Sequence, residues 1–309
     1  MADHIRRAVI TGATGAVGTA VVRELIRRGA EVLVLAREGS ARNSNIPQHE
    51  LVRIKYCSLD ELASLENESG QDYDAFFHLA WAGTTGQARN DMYLQNQNVR
   101  YALDAVGAAH RLGCRVFIGT GSQAEYGRHE GILTPETPVF PETGYGMGKL
   151  AAGHMTRSYA HQLGMKHIWT RILSIYGPHD TDRSLVMTVI NELLAGNVPQ
   201  LTKGDQMWDY LYSDDAARAL VMLAESGQDG STYVLGSGTA RPLRSYIEDI
   251  RDVVSMGAKL GLGAIDYYPG QVMFLKADTS EIEKDTGWKA EISFENGIRE
   301  ILNDICKEP

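Results

Sequence analysis

Apolar residues in this chain fall into short dense runs, separated by segments where they recur at helical spacing. Val9 and Ile10 end a run that reads as a strand buried on both faces. After a glycine-rich stretch, Val17, Val21 and Leu25, with Val22 and Ile26 beside them, repeat as one face of a helix. Gly29 is the expected stop, and residues 31–35 form a second apolar strand. Residues 51–56 read as a third strand and 74–80 as a fourth. Residues 81–90 are polar and glycine-bearing, hence a loop, and Asp91 is placed to cap a long helix reaching about Leu112. A fifth strand follows at 116–118, a helix at 145–163 ending at Gly164, and a sixth strand at 167–175. Further helices are expected at 185–195 and up to about Glu225, whereas the glycines between 257 and 263 read as turn residues. This alternation predicts an α/β protein with a Rossmann-type doubly wound parallel sheet over residues 1–175. Residues 176–309 would form a smaller C-terminal α/β lobe, with about 210–235 returning to the sheet.

The segment between the first strand and first helix carries Gly12, Gly15 and Gly18. Strand, glycine turn, helix and strand make half of a dinucleotide-binding unit. Glycines let the backbone turn tightly and approach a pyrophosphate, and the helix N-terminus offers free N–H groups and partial positive charge. Thr14, Ala16 and Val17 belong to the same turn. At the end of the second strand an acid would bind the adenosine ribose and repel a 2'-phosphate; here Ala36 and Arg37 stand instead, which favours NADP, unless Arg37 is an ordinary surface arginine.

Composition narrows the class. With 43% hydrophobic and 22% charged residues, the 309-residue chain has the profile of a globular protein. No apolar run approaches the ~20 residues of a membrane helix, and the segment before Gly12 is too short for a signal peptide. Cys57, Cys114 and Cys306 are scattered without metal-ligand spacing and fit a reducing cytoplasm. A net charge of -9 with no basic run argues against nucleic acid.

The G-x-x-G-x-x-G spacing after Thr11 resembles the short-chain dehydrogenase/reductase superfamily. His78-Leu79-Ala80, Asn98-Val99, Ser122 four residues before Tyr126-Gly127, Tyr145-Gly146-Met147-Gly148-Lys149 and Tyr176-Gly177-Pro178 resemble its extended branch of nucleotide-sugar epimerases, dehydratases and reductases. The likeness covers nearly the whole chain and is loosest in the C-terminal half. It implies that Ser58 and Leu59 lie near the adenine, with Ser58 or Asp60 in the place of the usual acid, and that Leu79 and Ala80 run along the cofactor. His78 reads as a satisfied structural histidine. Asn98 would brace the strand ends, its alternative being a surface asparagine. The substrate would meet Trp81, Thr84, Gln123, Ser174, Arg183 and Trp208. Two of these depart from the branch: Ser174 stands for its asparagine, and Trp208 for an arginine that often holds the sugar nucleotide.

Ser122, Tyr145 and Lys149 are the expected catalytic set. Moving a hydride from or to an alcohol carbon also requires moving a hydroxyl proton, and a tyrosine can do this if its pKa of ~10 is lowered. Burial alone would raise it, so Lys149, one helical turn on, would supply a cation, and oxidised nicotinamide a second. Reaching ~7 takes about 4 kcal/mol, within reach of one close cation. Ser122 would hold the same substrate oxygen. Dehydratases of the branch carry an Asp-Glu pair where this chain has Gln123 and Ala124, which leaves a 4-keto-sugar reductase using NADPH or an NDP-sugar 4-epimerase with bound NAD. A non-catalytic NAD(P)-binding sensor is the other class; it would not require all three residues. Superfamily pairing of the helices at 91–112 and 145–163 implies a homodimer, with Ala102, Ala105, Ala108, Ala151 and Ala152 allowing close approach.

Overall fold

The computed structural model describes residues 4–306; the first three residues of the short leading segment lie outside it. In chain order β1 (Arg7–Thr11), α1 (Ala16–Arg27), β2 (Glu31–Ala36), β3 (Val52–Tyr56), β4 (Ala75–His78), α2 (Met92–Arg111), β5 (Val116–Ser122), α3 (Gly144–Gln162) and β6 (Lys166–Ile172) are followed by β7 (Ser174–Tyr176). Then come α4 (Leu185–Leu194), the two-residue β8 (Gln200–Leu201) and β9 (Met207–Trp208), β10 (Tyr210–Tyr212), α5 (Ser213–Ser226) and β11 (Thr232–Leu235). β12 (Arg241–Pro242), α6 (Leu243–Val254), β13 (Gly261–Leu262), α7 (Ser280–Thr286) and α8 (Phe294–Ile305) complete the order.

Seven parallel strands form one sheet in the order β11-β6-β5-β4-β1-β2-β3. Its middle strands are apolar on both faces because both are covered. α1 and α5 lie on one face, where Val21, Val22 and Leu25 meet Leu220 and Leu223. α2 and α3 lie on the other, with Ala105, Ala109 and Ala160 against Phe76 and Phe117. α2 and α3 start where side chains satisfy their free N–H groups: Asp91 accepts from Tyr93 and Leu94, and Thr143 from Gly146. A third cluster, outside the sheet, packs Ile190, Ile247 and Ile298 around Tyr176, Tyr246 and Phe294.

Two expectations need correction. The apolar run 167–175 is two strands: Leu173, whose N–H donates to Leu235 O at 2.9 Å, leaves the sheet, and β7 pairs with β10 in a separate ribbon. Of 210–235, therefore, only β11 joins the central sheet, against β6. Second, Ala102, Ala105, Ala108 and Ala152 are buried within this chain, where α2 packs on α3 and on the sheet, so they are not a surface for a second copy. Asn98 is buried, with polar partners described below. Asp209, fully buried, accepts from the N–H groups of Ser237, Gly238 and Ala277 at 2.7, 3.1 and 3.0 Å, fastening the segment after β11 to the C-terminal part.

Candidate active site

A cleft of about 490 Å³ runs along the C-terminal ends of β1, β2 and β4. Gly12, Thr14, Gly15, Arg37, Ser58, Leu59, Leu79, Ala80 and Trp81 line it. Gly12 has φ +78°, and a Cβ there would stand 2.6 Å from Ala80 N. A Cβ on Gly18 would overlap the Gly12 carbonyl oxygen, so this glycine lets α1 close on the turn. Ala16 is buried beneath the turn, and Val17 faces the neighbouring cleft. α1 begins without a capping side chain, unlike the side-chain-capped α2, α3 and α4. Its first N–H groups and positive dipole end are thus left for an anion. The residues present fit a dinucleotide: a glycine turn under an uncapped helix end for the pyrophosphate, and a groove reaching Arg37 and Ser58. The Ser58 hydroxyl is turned onto Glu61 Oε2 at 2.6 Å, capping the short turn 59–64, and Asp60 lines the groove beside it.

Leu79 also lines a second cleft of about 180 Å³, together with Val17, Thr84, Ser122, Tyr145, Lys149 and Leu173. β5 ends at Ser122, and α3 carries Tyr145 and Lys149 on one face. Lys149 is buried; its Nζ donates to Thr120 O at 2.7 Å and lies 3.9 Å over the Trp81 ring. Burial pushes its pKa down to about 7, with the Glu125 carboxylate pulling the other way. Burial raises the Tyr145 hydroxyl above the ordinary tyrosine value, opposed by the Ser122 hydroxyl and by Arg89, and abetted by Glu125. The cation closest to the Tyr145 ring is therefore not the expected one. Lys149 Nζ stands 5.8 Å from the ring centroid, whereas the Arg89 guanidinium carbon lies 4.3 Å over it.

Behind Ser122 sits a buried cluster that the residue pattern did not reveal. Glu125, fully buried, accepts from Ser122 N at 2.8 Å, Trp169 Nε1 at 3.1 Å and Arg171 Nε at 2.8 Å. The loop after β4 is held from α2: Asn98 Oδ1 accepts from Ala82 N at 3.0 Å and its Nδ2 donates to Ala82 O at 2.9 Å. Gln95 Oε1 accepts from Trp81 Nε1 at 2.8 Å. His78 is satisfied by the Thr11 hydroxyl at 3.0 Å, and burial pushes its pKa down to about 3, so it is neutral. Arg42 was also missed; its Nη2 donates to Thr14 O at 3.2 Å and to His179 O at 2.8 Å, tying the glycine turn to the segment after β7.

The expected substrate residues do not converge. Trp81 and Thr84 line the clefts, and Gln123 opens the short turn after Ser122. Ser174 and Trp208 are spent on each other, Trp208 Nε1 donating to Ser174 Oγ at 2.9 Å. Arg183 is exposed before α4 and lines neither cleft. Among the described residues no group of three or more His, Cys, Asp or Glu is placed to hold a metal, and no helix is long and apolar enough to cross a membrane.

Residues 8–236 match the model of the NAD dependent epimerase/dehydratase family. The chain is 27% identical over 332 residues to a dTDP-glucose 4,6-dehydratase of Salmonella typhimurium, covering 95% of this chain and 91% of that protein. The UDP-N-acetylglucosamine 4-epimerase from Methanobrevibacter ruminantium M1, solved with UDP-N-acetylmuramic acid, has a TM-score of 0.87 at 22% identity, covering 99% of this chain and 100% of that one. RMD from Pseudomonas aeruginosa, complexed with NADPH, has a TM-score of 0.79 at 21% identity, covering 97% and 98%. Fold, glycine-turn cleft and relatives together define an enzyme of the extended short-chain dehydrogenase/reductase type, dependent on NAD or NADP. The chain belongs to the NAD dependent epimerase/dehydratase family.

Proposed function

We propose that this chain reduces a nucleotide-linked 4-keto sugar, with NADPH as cofactor and Tyr145 as general acid. The observation that carries this reading is the meeting of Ser122, Tyr145 and Lys149 in one cleft that shares Leu79 with the glycine-turn cleft. When bound, the nicotinamide dinucleotide supplies the hydride. Gly12, Thr14, Gly15, Ala16, Val17 and Gly18 would hold its pyrophosphate end, Ser58 and Leu59 its adenine side, and Leu79, Ala80 and Lys149 its nicotinamide side, with Asn98 bracing the loop. Arg37 in the groove supports NADP over NAD, and the NADPH in the RMD structure is in keeping with it. Nucleotide sugars are supported as substrates by the names of the relatives. Gln123 and Ala124 in place of two acids weigh against dehydration.

In this reading Ser122 orients the substrate carbonyl and Tyr145 delivers the proton to its oxygen. Lys149 favours the ionised tyrosine that results. Trp81, Thr84 and Gln123 border the substrate, and the Ser174–Trp208 pair, with Arg183 further out, shapes its far end. Residues 1–175 serve the cofactor and 176–309 the substrate, apart from β11, which joins the central sheet. The enzyme works in the cytoplasm as a homodimer. The dimer is supported by Tyr93 on α2 and by Met147 and Met155 on α3, which stay exposed. Single-turnover oxidation of bound NADPH by a 4-keto sugar nucleotide tests the reading. Tyr145→Phe should keep cofactor affinity and slow this step by ~10²–10⁴-fold; Ser122→Ala should be milder. Hydride transfer at the wild-type rate in Tyr145→Phe refutes the assigned acid. Interconversion of two sugars without net NADPH consumption means a 4-epimerase instead.

A further inference from the structure

We propose that Arg89 is a positioning residue that sets the proton affinity of Tyr145 through the ring on which it is stacked. This rests on reading Tyr145 as the proton donor. The Arg89 guanidinium carbon lies 4.3 Å over the ring centroid, and Nη1 donates to Thr84 O at 2.9 Å, which fixes the side chain at the mouth of the cleft.

The backbone carrying it is fastened on both sides. Gln95 Nε2 donates to Gly83 O at 3.0 Å and to Ala88 O at 2.9 Å, joining the loop to α2. Asn90 Oδ1 accepts from Gly144 N at 3.0 Å, joining it to the first residue of the helix that bears Tyr145. Arg89 and Tyr145 are thus held against each other by two neighbouring elements.

The groups facing Tyr145 can be taken element by element. From its own helix comes Lys149, whose Nζ is drawn away onto Thr120 O and over Trp81. From the end of β5 and the turn after it come the Ser122 hydroxyl and the Glu125 carboxylate, which act in opposite directions. From the loop after β4 come Trp81, edge-on at 6.2 Å, and Arg89. Burial leaves Lys149 titrating near neutrality, so it carries only part of a charge there. A guanidinium stays charged throughout this range. Arg89 is then the constant cation of the pair, opposing the burial that drives the tyrosine up. A single charge 4.3 Å over the ring centroid, partly screened by solvent, corresponds to roughly one pH unit at the hydroxyl.

The full chain, labelled with the more acidic 3-fluorotyrosine, allows the titration to be read by ¹⁹F NMR, with Tyr145→Phe assigning the resonance. Arg89→Gln should raise the Tyr145 midpoint by about one unit, and Arg89→Lys, which keeps the charge, should restore at least half of that shift. Circular dichroism confirms that each variant is folded, and Arg89→Met, a second change that removes the charge, reads the same rise if Arg89→Gln does not fold. An unchanged midpoint in Arg89→Gln overturns the proposal, as does an Arg89→Lys midpoint as high as that of Arg89→Gln. A midpoint that follows Arg89 while Tyr145→Phe still transfers hydride at full rate would leave this coupling standing and remove the assigned acid.

Discussion

Glu125 is the residue whose loss should be felt most widely, because its carboxylate, with no exposure, accepts from three donors, one of them Arg171. Glu125→Gln keeps the shape and removes the charge. One oxygen remains to accept, but the new NH₂ group faces donors and cannot serve them. Arg171, with only 7% of its side chain exposed, is left as a buried cation beside Pro135 O and Tyr126, without its anion. Breaking a buried ion pair from one side typically costs ~3–5 kcal/mol. Hydrogen bonds to a charged group, ~1.5–3 kcal/mol each, are contained in that figure and are not added to it. The loss should therefore be about 3–5 kcal/mol, a large part of a usual stability of ~5–15 kcal/mol. Urea unfolding followed by circular dichroism is the assay. With a slope of about 3 kcal/mol per molar for a chain of this size, the midpoint should fall by roughly 1–2 M. Adding Arg171→Met should recover part of the loss, since the unpaired cation goes with it. A loss below ~1 kcal/mol, or strict additivity of the two changes, would refute the ion-pair account.

Other outcomes follow from the same geometry. Arg37→Ala should weaken NADPH binding at least ~10-fold and leave NADH unchanged in calorimetric titrations, ~1.4 kcal/mol being one tenfold step; equal effects on both would make Arg37 a bystander. Burial holds Lys149 near 7 in the folded chain against 10.5 ordinarily, so between these values the unfolded chain binds a proton that the folded one does not, and stability rises with pH. Lys149→Met should therefore help folding most at pH 7 and progressively less toward pH 10; thermal melts showing a pH-independent difference would contradict this. Sedimentation at micromolar concentration should give twice the chain mass of 33.9 kDa, and a monomer would end the dimer proposal.

Local signals were readable in the chain itself. The glycine turn, the Asp91 cap and the helix stop at Gly164 depend on neighbours a few residues away, and each stands where the pattern placed it. The three residues of the second cleft were found through their spacing and family likeness, and the fold brings them to one cleft. What escaped depends on partners far along the chain. The break at Leu173 is invisible in a continuous apolar run, because it marks a change of partner strand from β11 to β10 and not a change in hydrophobicity. Small residues on α2 and α3 look alike whether they meet a second copy or the sheet beneath them. Trp208 was expected against substrate, but only the folded chain shows its indole on Ser174, 34 residues away. Arg89 sits in a polar loop without periodicity, so no spacing rule links it to a tyrosine 56 positions later.

The seventh strand of the sheet also bears on how this protein is made. β11 lies 60 residues beyond the end of β6, its partner, and α5, which covers α1, is also supplied late. While the nascent chain leaves the ribosome, β6 is an open edge and the apolar stripe of α1 is uncovered. Both are surfaces that invite association with other chains. The cofactor half therefore cannot mature when its own residues have been translated; it waits for residue 235. Closing that loop costs little at equilibrium, since loop entropy grows only with the logarithm of length. Its effect is on timing, and it makes the interval between residues 172 and 235 the stretch of synthesis in which a chaperone would matter most.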